Sequence, residues 1–173
     1  MTTVLIEDSR VADEFIADRR ARGQDTYDEV WEGVYHVTPA GTAVHAHVQA
    51  LVVALLVEHA RVIGEYAAGP CNIGSGGKDN YRVPDAALFA GAPVEQLYLP
   101  TARLVAEVRS PKDSTYAKRA FYAQHGVEEL LVIDPLAAEL EVWRRDDARY
   151  TQADRSDVLG STVSELRSRL LGE

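Results

Sequence analysis

Two short apolar segments, residues 83–89 and 103–109, constrain this chain more than any other feature. They read as consecutive central strands, Val83-Pro84-Asp85-Ala86-Ala87-Leu88-Phe89 and Arg103-Leu104-Val105-Ala106-Glu107-Val108-Arg109, and each carries one carboxylate, Asp85 or Glu107. A charge inside an apolar strand loses its hydration, a loss seldom tolerated without a partner or a ligand. Two converging carboxylates also repel each other, so a divalent cation is their natural third member. Magnesium suits such a pair, because it prefers oxygen ligands and usually takes one or two protein carboxylates. The plainer alternative leaves Asp85 at a strand entry after Pro84 and pairs Glu107 with Arg109 or Arg103.

The flanking sequence supplies the rest of a sheet and its helices. Residues 11–22 read as a short amphipathic helix with Val11, Phe15 and Ile16 on one side, a cap at Asp8 or Ser9, and a stop at Gly23. Residues 27–38 form a hairpin turning at Glu32-Gly33. Residues 43–63 give the strongest helical pattern, with Val44, Val48, Leu51, Leu55 and Val62 at helical spacing and Gly64 as terminator. Strands are expected at 65–73, 83–89, 103–109, 129–133 and 140–144, with a possible last one at 150–151. Helices are expected at 114–125 and 163–171. The order predicts an α/β (α+β) fold, a sheet with helices packed against it.

Composition narrows the setting. The chain has 173 residues, net charge −9 and one cysteine, Cys71. That length suits one domain with a real core. The charge argues against generic, electrostatically driven nucleic-acid binding, which usually shows a basic stripe. It is compatible with a nuclease whose acids surround a metal. The longest apolar run, 51–57, is far short of the roughly 20 residues of a membrane span, and the first residues lack a signal peptide's basic n-region. With a lone cysteine, this sets a cytoplasmic expectation.

Lys118 follows the second carboxylate strand and sits four residues before Tyr122, so the two share a helix face. A lysine there can reach a scissile phosphate or the attacking water; a solvated lysine is the common alternative, and Lys112 in the preceding loop is a competitor. Glu29 and Glu32, near the hairpin turn, are further acids that can reach a metal or its waters, against the alternative of exposed turn acids. His45-Ala46-His47 places its histidines at i and i+2, off a common helix face, which suits surface or supporting roles better than a zinc site. Gly74-Ser75-Gly76-Gly77-Lys78 lacks the spacing of a phosphate loop and reads as a turn. Cys71 reads as a buried structural residue, and no Gly-x-Ser-x-Gly elbow is present.

Arg82-Val83-Pro84-Asp85, Glu107-Val108-Arg109-Ser110-Pro111, Lys118 with Tyr122, and Gly126-Val127-Glu128-Glu129 together resemble the Uma2 family (DUF820), grouped with endonucleases of the PD-(D/E)XK restriction-endonuclease-like superfamily. Tyr27-Asp28-Glu29-Val30-Trp31-Glu32-Gly33 and Leu130-Leu131-Val132-Ile133-Asp134-Pro135 are similar to two further family segments. The resemblance implies a restriction-endonuclease-like mixed central β-sheet flanked by helices, one domain over residues 1–173 with its core at about 24–145. It implies Mg2+ or Mn2+ held by Asp85, Glu107 and the Val108 carbonyl, with Lys118 orienting the attacking water. Glu29 or Glu32 would serve a second metal or a water, and Tyr122 would support the site. The superfamily's usual Glu-x-Lys lysine is replaced here by Arg109, and the Uma2-like pattern moves that lysine onto the following helix, at Lys118. Nucleic acid, DNA above all, is the implied substrate, and a homodimer is the implied assembly. Two alternatives stay open: a non-catalytic interaction protein on the same fold, and a hydrolase of small phosphorylated substrates. Convergence of Arg82, Arg103, Arg109, Lys112, Lys118 and Arg119 on the carboxylates would favour a polyanion.

Overall fold

The computed structural model describes residues 9–38, 40–75, 77–111 and 114–172. The cap expected at Asp8 and the competing Lys112 therefore lie outside the described residues. Chain order runs α1 (Ser9–Ala21), β1 (Glu29–Trp31), β2 (Val34–His36), α2 (Ala43–Ile63), β3 (Tyr66–Ala68), β4 (Asn72–Ile73), β5 (Ala86–Phe89), β6 (Tyr98–Leu99) and β7 (Leu104–Val108). A 3-10 turn (Thr115–Lys118) runs directly into α3 (Arg119–Gln124). Then follow β8 (Glu129–Asp134), β9 (Glu139–Asp146), β10 (Arg149–Ala153), β11 (Arg155–Ser156), β12 (Ser161–Thr162) and α4 (Val163–Leu171).

The main sheet has six strands in the order β10-β9-β8-β7-β5-β3. β7 and β8 pair parallel and the other neighbours antiparallel, so this is the mixed central sheet that the resemblance implies. β5 and β7 lie side by side in it, and every residue of both is buried. Their alternate side chains feed two cores. Leu88, Leu104, Ala106, Leu131 and Ile133 meet Val52, Leu55 and Leu56 of α2 and Leu166 and Leu170 of α4 on one face. Ala87, Val105, Leu130 and Val132 meet Phe121 and Tyr122 of α3 on the other. The parallel β7–β8 pair requires a crossover, and that crossover is the 3-10 turn and α3.

Local signals account for most boundaries. Thr42 caps α2 by accepting from the His45 N–H, and Gly64 closes it in the left-handed region. Glu32 and Gly33 both have positive φ, 51° and 85°, as a two-residue type I′ hairpin demands. Thr162 and Glu165 form a reciprocal capping box at the start of α4.

Several expectations need correction. The strand expected at 65–73 is two short strands in different sheets, β3 and β4, interrupted around Pro70, which has no N–H to donate to a ladder. β5 starts only at Ala86, after Pro84. Between the two carboxylate strands lies β6, paired parallel with β4, while β11 and β12 form a small pairing the apolar pattern did not signal. The helix at 114–125 opens with a 3-10 turn. Along α2 the buried positions are Val48, Val52, Leu55, Leu56 and Ala60, whereas Val44 and Val62, at the ends of the expected stripe, are exposed. That helix is also long and apolar enough to cross a membrane by length and composition, which counting only consecutive apolar residues overlooks; here its buried face packs on the sheet. Val11 and Phe15 of α1 are exposed.

Glu129, at the start of β8, is 1 % exposed. It accepts from the Ser156 hydroxyl and from the backbone N–H groups of Asp157 (2.7 Å) and Val158 (3.3 Å), so one carboxylate holds the β11 loop to the sheet. Removing it leaves several donors without an acceptor. Glu129→Ala is expected to lower the unfolding free energy by about 3 kcal/mol, read from the urea midpoint at unchanged slope.

Candidate functional site

The site forms where the entry of β5 meets the carboxyl end of β7. The residues preceding β5 are held by the hairpin: Val30 and Tyr81 exchange backbone hydrogen bonds, and Glu29 Oε1 accepts from the Val83 N–H at 2.8 Å. Pro84 then turns the chain into the sheet, and Asp85 accepts from the Val108 N–H through Oδ2 at 2.7 Å. Both carboxylates expected from sequence are thus adjacent, one at each strand's end nearest the other.

Glu107 is buried and points to the α3 side. The phenol of Tyr122 donates to its Oε1 at 2.6 Å, and Lys118 Nζ lies 3.1 and 2.9 Å from Oε1 and Oε2. The same ammonium stands 2.8 Å from Glu29 Oε1. Glu29 is fixed in turn by the Trp31 indole N–H, which donates to Oε2 at 2.7 Å. Lys118, Glu107, Glu29 and Tyr122 therefore come together, with Asp85 at their edge. Glu32 does not join them; it is exposed at the hairpin turn. The alternative pairings of Glu107 with Arg103 or Arg109 do not form. Arg103 pairs with Glu65 and Glu128, and Arg109 pairs with Asp134 at 3.0 Å and stacks on Tyr116.

Among the described residues of the basic set Arg82, Arg103, Arg109, Lys118 and Arg119, Lys118 and Arg82 reach this region. Arg82 is 4 % exposed, sandwiched between the rings of Trp31 (4.3 Å) and Phe121 (4.2 Å). Its Nη1 donates to the Val30 and Tyr81 carbonyls and to Asn80. Arg119 instead stacks on Tyr116 and Trp143.

Crowded buried charges shift the proton equilibria. Burial pushes the Glu107 carboxyl up to about 7, against Lys118 and reinforced by Asp85 and Glu29. Burial opposes the Lys118 charge, yet Glu107 and Glu29 overcome it and hold the ammonium above its ordinary value. Burial, with Glu107 close by, raises the Tyr122 phenol well above its usual range. His36, stacked on Trp31, is lowered by burial.

His45, for which the sequence leaves a surface or a supporting role, reaches Asp85 with Nε2 3.6 Å from Oδ2. The sequence signal lay in the fold and not in the spacing: α2 aims its first turn at the β5 entry. Arg82 and Trp31 were similarly legible only as motif neighbours.

Among the described residues no group of three or more His, Cys, Asp or Glu side chains is arranged to hold a metal ion. The donor chemistry nevertheless fits a hard divalent ion of the magnesium type, which takes few carboxylates and keeps several waters. Asp85, Glu107 and the main chain at Val108 are oxygen donors at one point of the sheet, and acids outnumber their cations there.

With this geometry in view, the chain can be placed among known proteins. The Uma2 family model, described as "Putative restriction endonuclease", matches residues 13–167. The chain belongs to the Uma2 family. Among solved structures, it is similar to a protein from Anabaena variabilis ATCC 29413 described as "a putative nuclease belonging to DUF820". The TM-score is 0.63 at 18 % identity, covering 83 % of this chain and 91 % of that one. At that identity the likeness speaks for the fold. No curated protein sequence matches the chain.

The raised Glu107 pKa carries a stability consequence. Folded protein binds the proton more tightly than unfolded, so this group's contribution falls as pH rises from about 4.5 to about 7. Removing the titration should remove that loss. The stability of Glu107→Gln relative to wild type is expected to improve across this window by up to about 3 kcal/mol, measured as chemical denaturation without divalent ions.

Proposed function

We propose that this protein is a divalent-metal-dependent endonuclease that hydrolyses phosphodiester bonds in nucleic acid, with DNA as the first substrate to test. The observation that carries the reading is Lys118 held against both Glu107 and Glu29, beside Asp85, in a chain of the Uma2 family. Asp85, Glu107 and the Val108 carbonyl would hold a Mg2+ or Mn2+ ion. When bound, such an ion supplies Lewis acidity toward a phosphate oxygen.

The remaining work falls to the protein's own groups. Lys118 Nζ is an ammonium whose position is fixed by two carboxylates, so it needs little reorganisation to donate to an attacking water or to charge developing on phosphate. Glu29 restrains Lys118 from the hairpin side, and Tyr122 restrains Glu107 by donating to Oε1. Arg82 places a positive charge behind both acids without forming an ion pair of its own with either. A homodimer would set two such sites against two strands.

A second reading, hydrolysis of small phosphorylated substrates, is favoured by the net charge of −9 and by the ion pairs that hold Arg103 and Arg109 to their own acids. Both readings use the same residues and differ only in substrate.

The test is cleavage of plasmid and single-stranded DNA with Mg2+ or Mn2+, wild type beside Asp85→Ala and Lys118→Met, each checked by thermal melting. Metal-dependent cleavage is expected to fall by about 10²-fold or more in both variants. Cleavage that survives in both folded variants would overturn the assignment. Turnover of nucleotides or phosphodiester model compounds without cleavage of DNA would select the second reading.

A further inference from the structure

His45 is left unused by the roles above, although it stands against the residues proposed to hold the ion. It is the third residue of α2, and its backbone N–H donates to the capping Thr42 at 3.3 Å, which sets where the helix begins. One turn later, Gln49 Nε2 donates to the Asp85 carbonyl at 3.3 Å and ties the register of α2 to the β5 entry. The imidazole consequently projects to Asp85, with Nε2 3.6 Å from Oδ2 and the two side chains only 14 % and 12 % exposed.

Gly41 makes room for this ring. A Cβ at that position would lie 2.9 Å from His45 Nδ1 and 3.2 Å from Cγ, so a larger residue there would push the imidazole out of its place. His47, two residues on, is exposed. One histidine of the pair is thus built into the site and the other is not. Two donors bound to one ion through bonds of about 2.1 Å each stand roughly 3–4 Å apart. The observed separation already falls within that span.

Resting on the metal-dependent reading above, we propose that His45 is a nitrogen ligand of the divalent ion beside Asp85 and the Val108 carbonyl, and that it selects a first-row transition ion over magnesium. Carboxylate, carbonyl and water donors suit Mg2+, whereas an imidazole adds affinity for Mn2+ and, more strongly, for Co2+ or Ni2+.

Calorimetric titration of metal-free wild type, His45→Ala, Gly41→Ala and Asp85→Ala with Co2+ and with Mg2+ separates the possibilities. Electron spin-echo modulation of the Mn2+-loaded wild type adds a direct readout of nitrogen coordination. His45→Ala is expected to weaken Co2+ about 10- to 100-fold while changing Mg2+ by less than about threefold. Gly41→Ala should weaken Co2+ in the same direction, and wild type should show ¹⁴N coupling to Mn2+. Equal changes for both ions, with no nitrogen coupling in wild type, would overturn the His45 assignment while Asp85-dependent binding left the metal site standing. Absence of divalent-ion binding to folded wild type would overturn the metal site itself, and His45 with it. If His45→Ala does not fold, the nitrogen coupling of the wild type decides alone.

Discussion

One ammonium group organises the functional end of this molecule. Lys118 is held between Glu29 from the hairpin and Glu107 from the central sheet, and all three side chains are largely removed from water. An exposed pair of this kind would contribute little. Inside the protein each member has lost its hydration, so deleting one strands the others. Two carboxylates on one ammonium leave negative charge in excess, and Asp85 adds more. Arg82 offsets it only from behind, because its Nη1 is committed to backbone carbonyls and Asn80, and its plane lies between Trp31 and Phe121. Surplus negative charge confined to a low-dielectric place is the condition under which a divalent cation binds well.

The topology explains why these residues meet at all. A parallel neighbour for β7 forces a crossover, and the crossover must begin at the carboxyl end of β7, where Glu107 lies. Its first turn falls back over that end and delivers Lys118, and Tyr122 follows one turn later. From the opposite direction the hairpin attaches to the strand-like segment 81–83 and carries Glu29 inward. The antiparallel β5 begins where β7 ends, which brings Asp85 to the same point. These five residues converge because three connections share one end of the sheet.

Much of this was legible beforehand, for identifiable reasons. The carboxylates stood out because acids inside Val/Leu/Ala strands are costly, and α2 because helical apolar spacing and a terminating glycine agreed. Lys118 and Tyr122 were legible as an i, i+4 pair at the start of a crossover. The short strands β4, β6, β11 and β12 were not, because two residues carry too little periodicity to register. The place of His45 was not legible, because i, i+2 spacing speaks only about ligands on one helix, whereas its partner Asp85 comes from the sheet. Glu29 and Glu32 could not be told apart from sequence. The positive φ of Glu32 puts it at the hairpin turn, while the backbone pairing of Val30 with Tyr81 turns Glu29 toward the lysine.

Placing the lysine on a helix rather than on the strand has a physical consequence. A lysine two residues after Glu107 would be positioned by the sheet itself, but that place is taken by Arg109, whose planar, permanently charged guanidinium engages Asp134 and Tyr116 instead. Lys118 owes its position to how α3 packs, through Phe121, Tyr122 and Ala123. Phe121 is at once a core residue under the sheet and one plate of the Arg82 sandwich. The core and the charged site are therefore one mechanical unit. A change in the packing of α3 would move the ammonium, loosen the guanidinium behind it and release Tyr122 from Glu107 together. The arrangement exchanges the local security of a strand position for dependence on the whole α3 face.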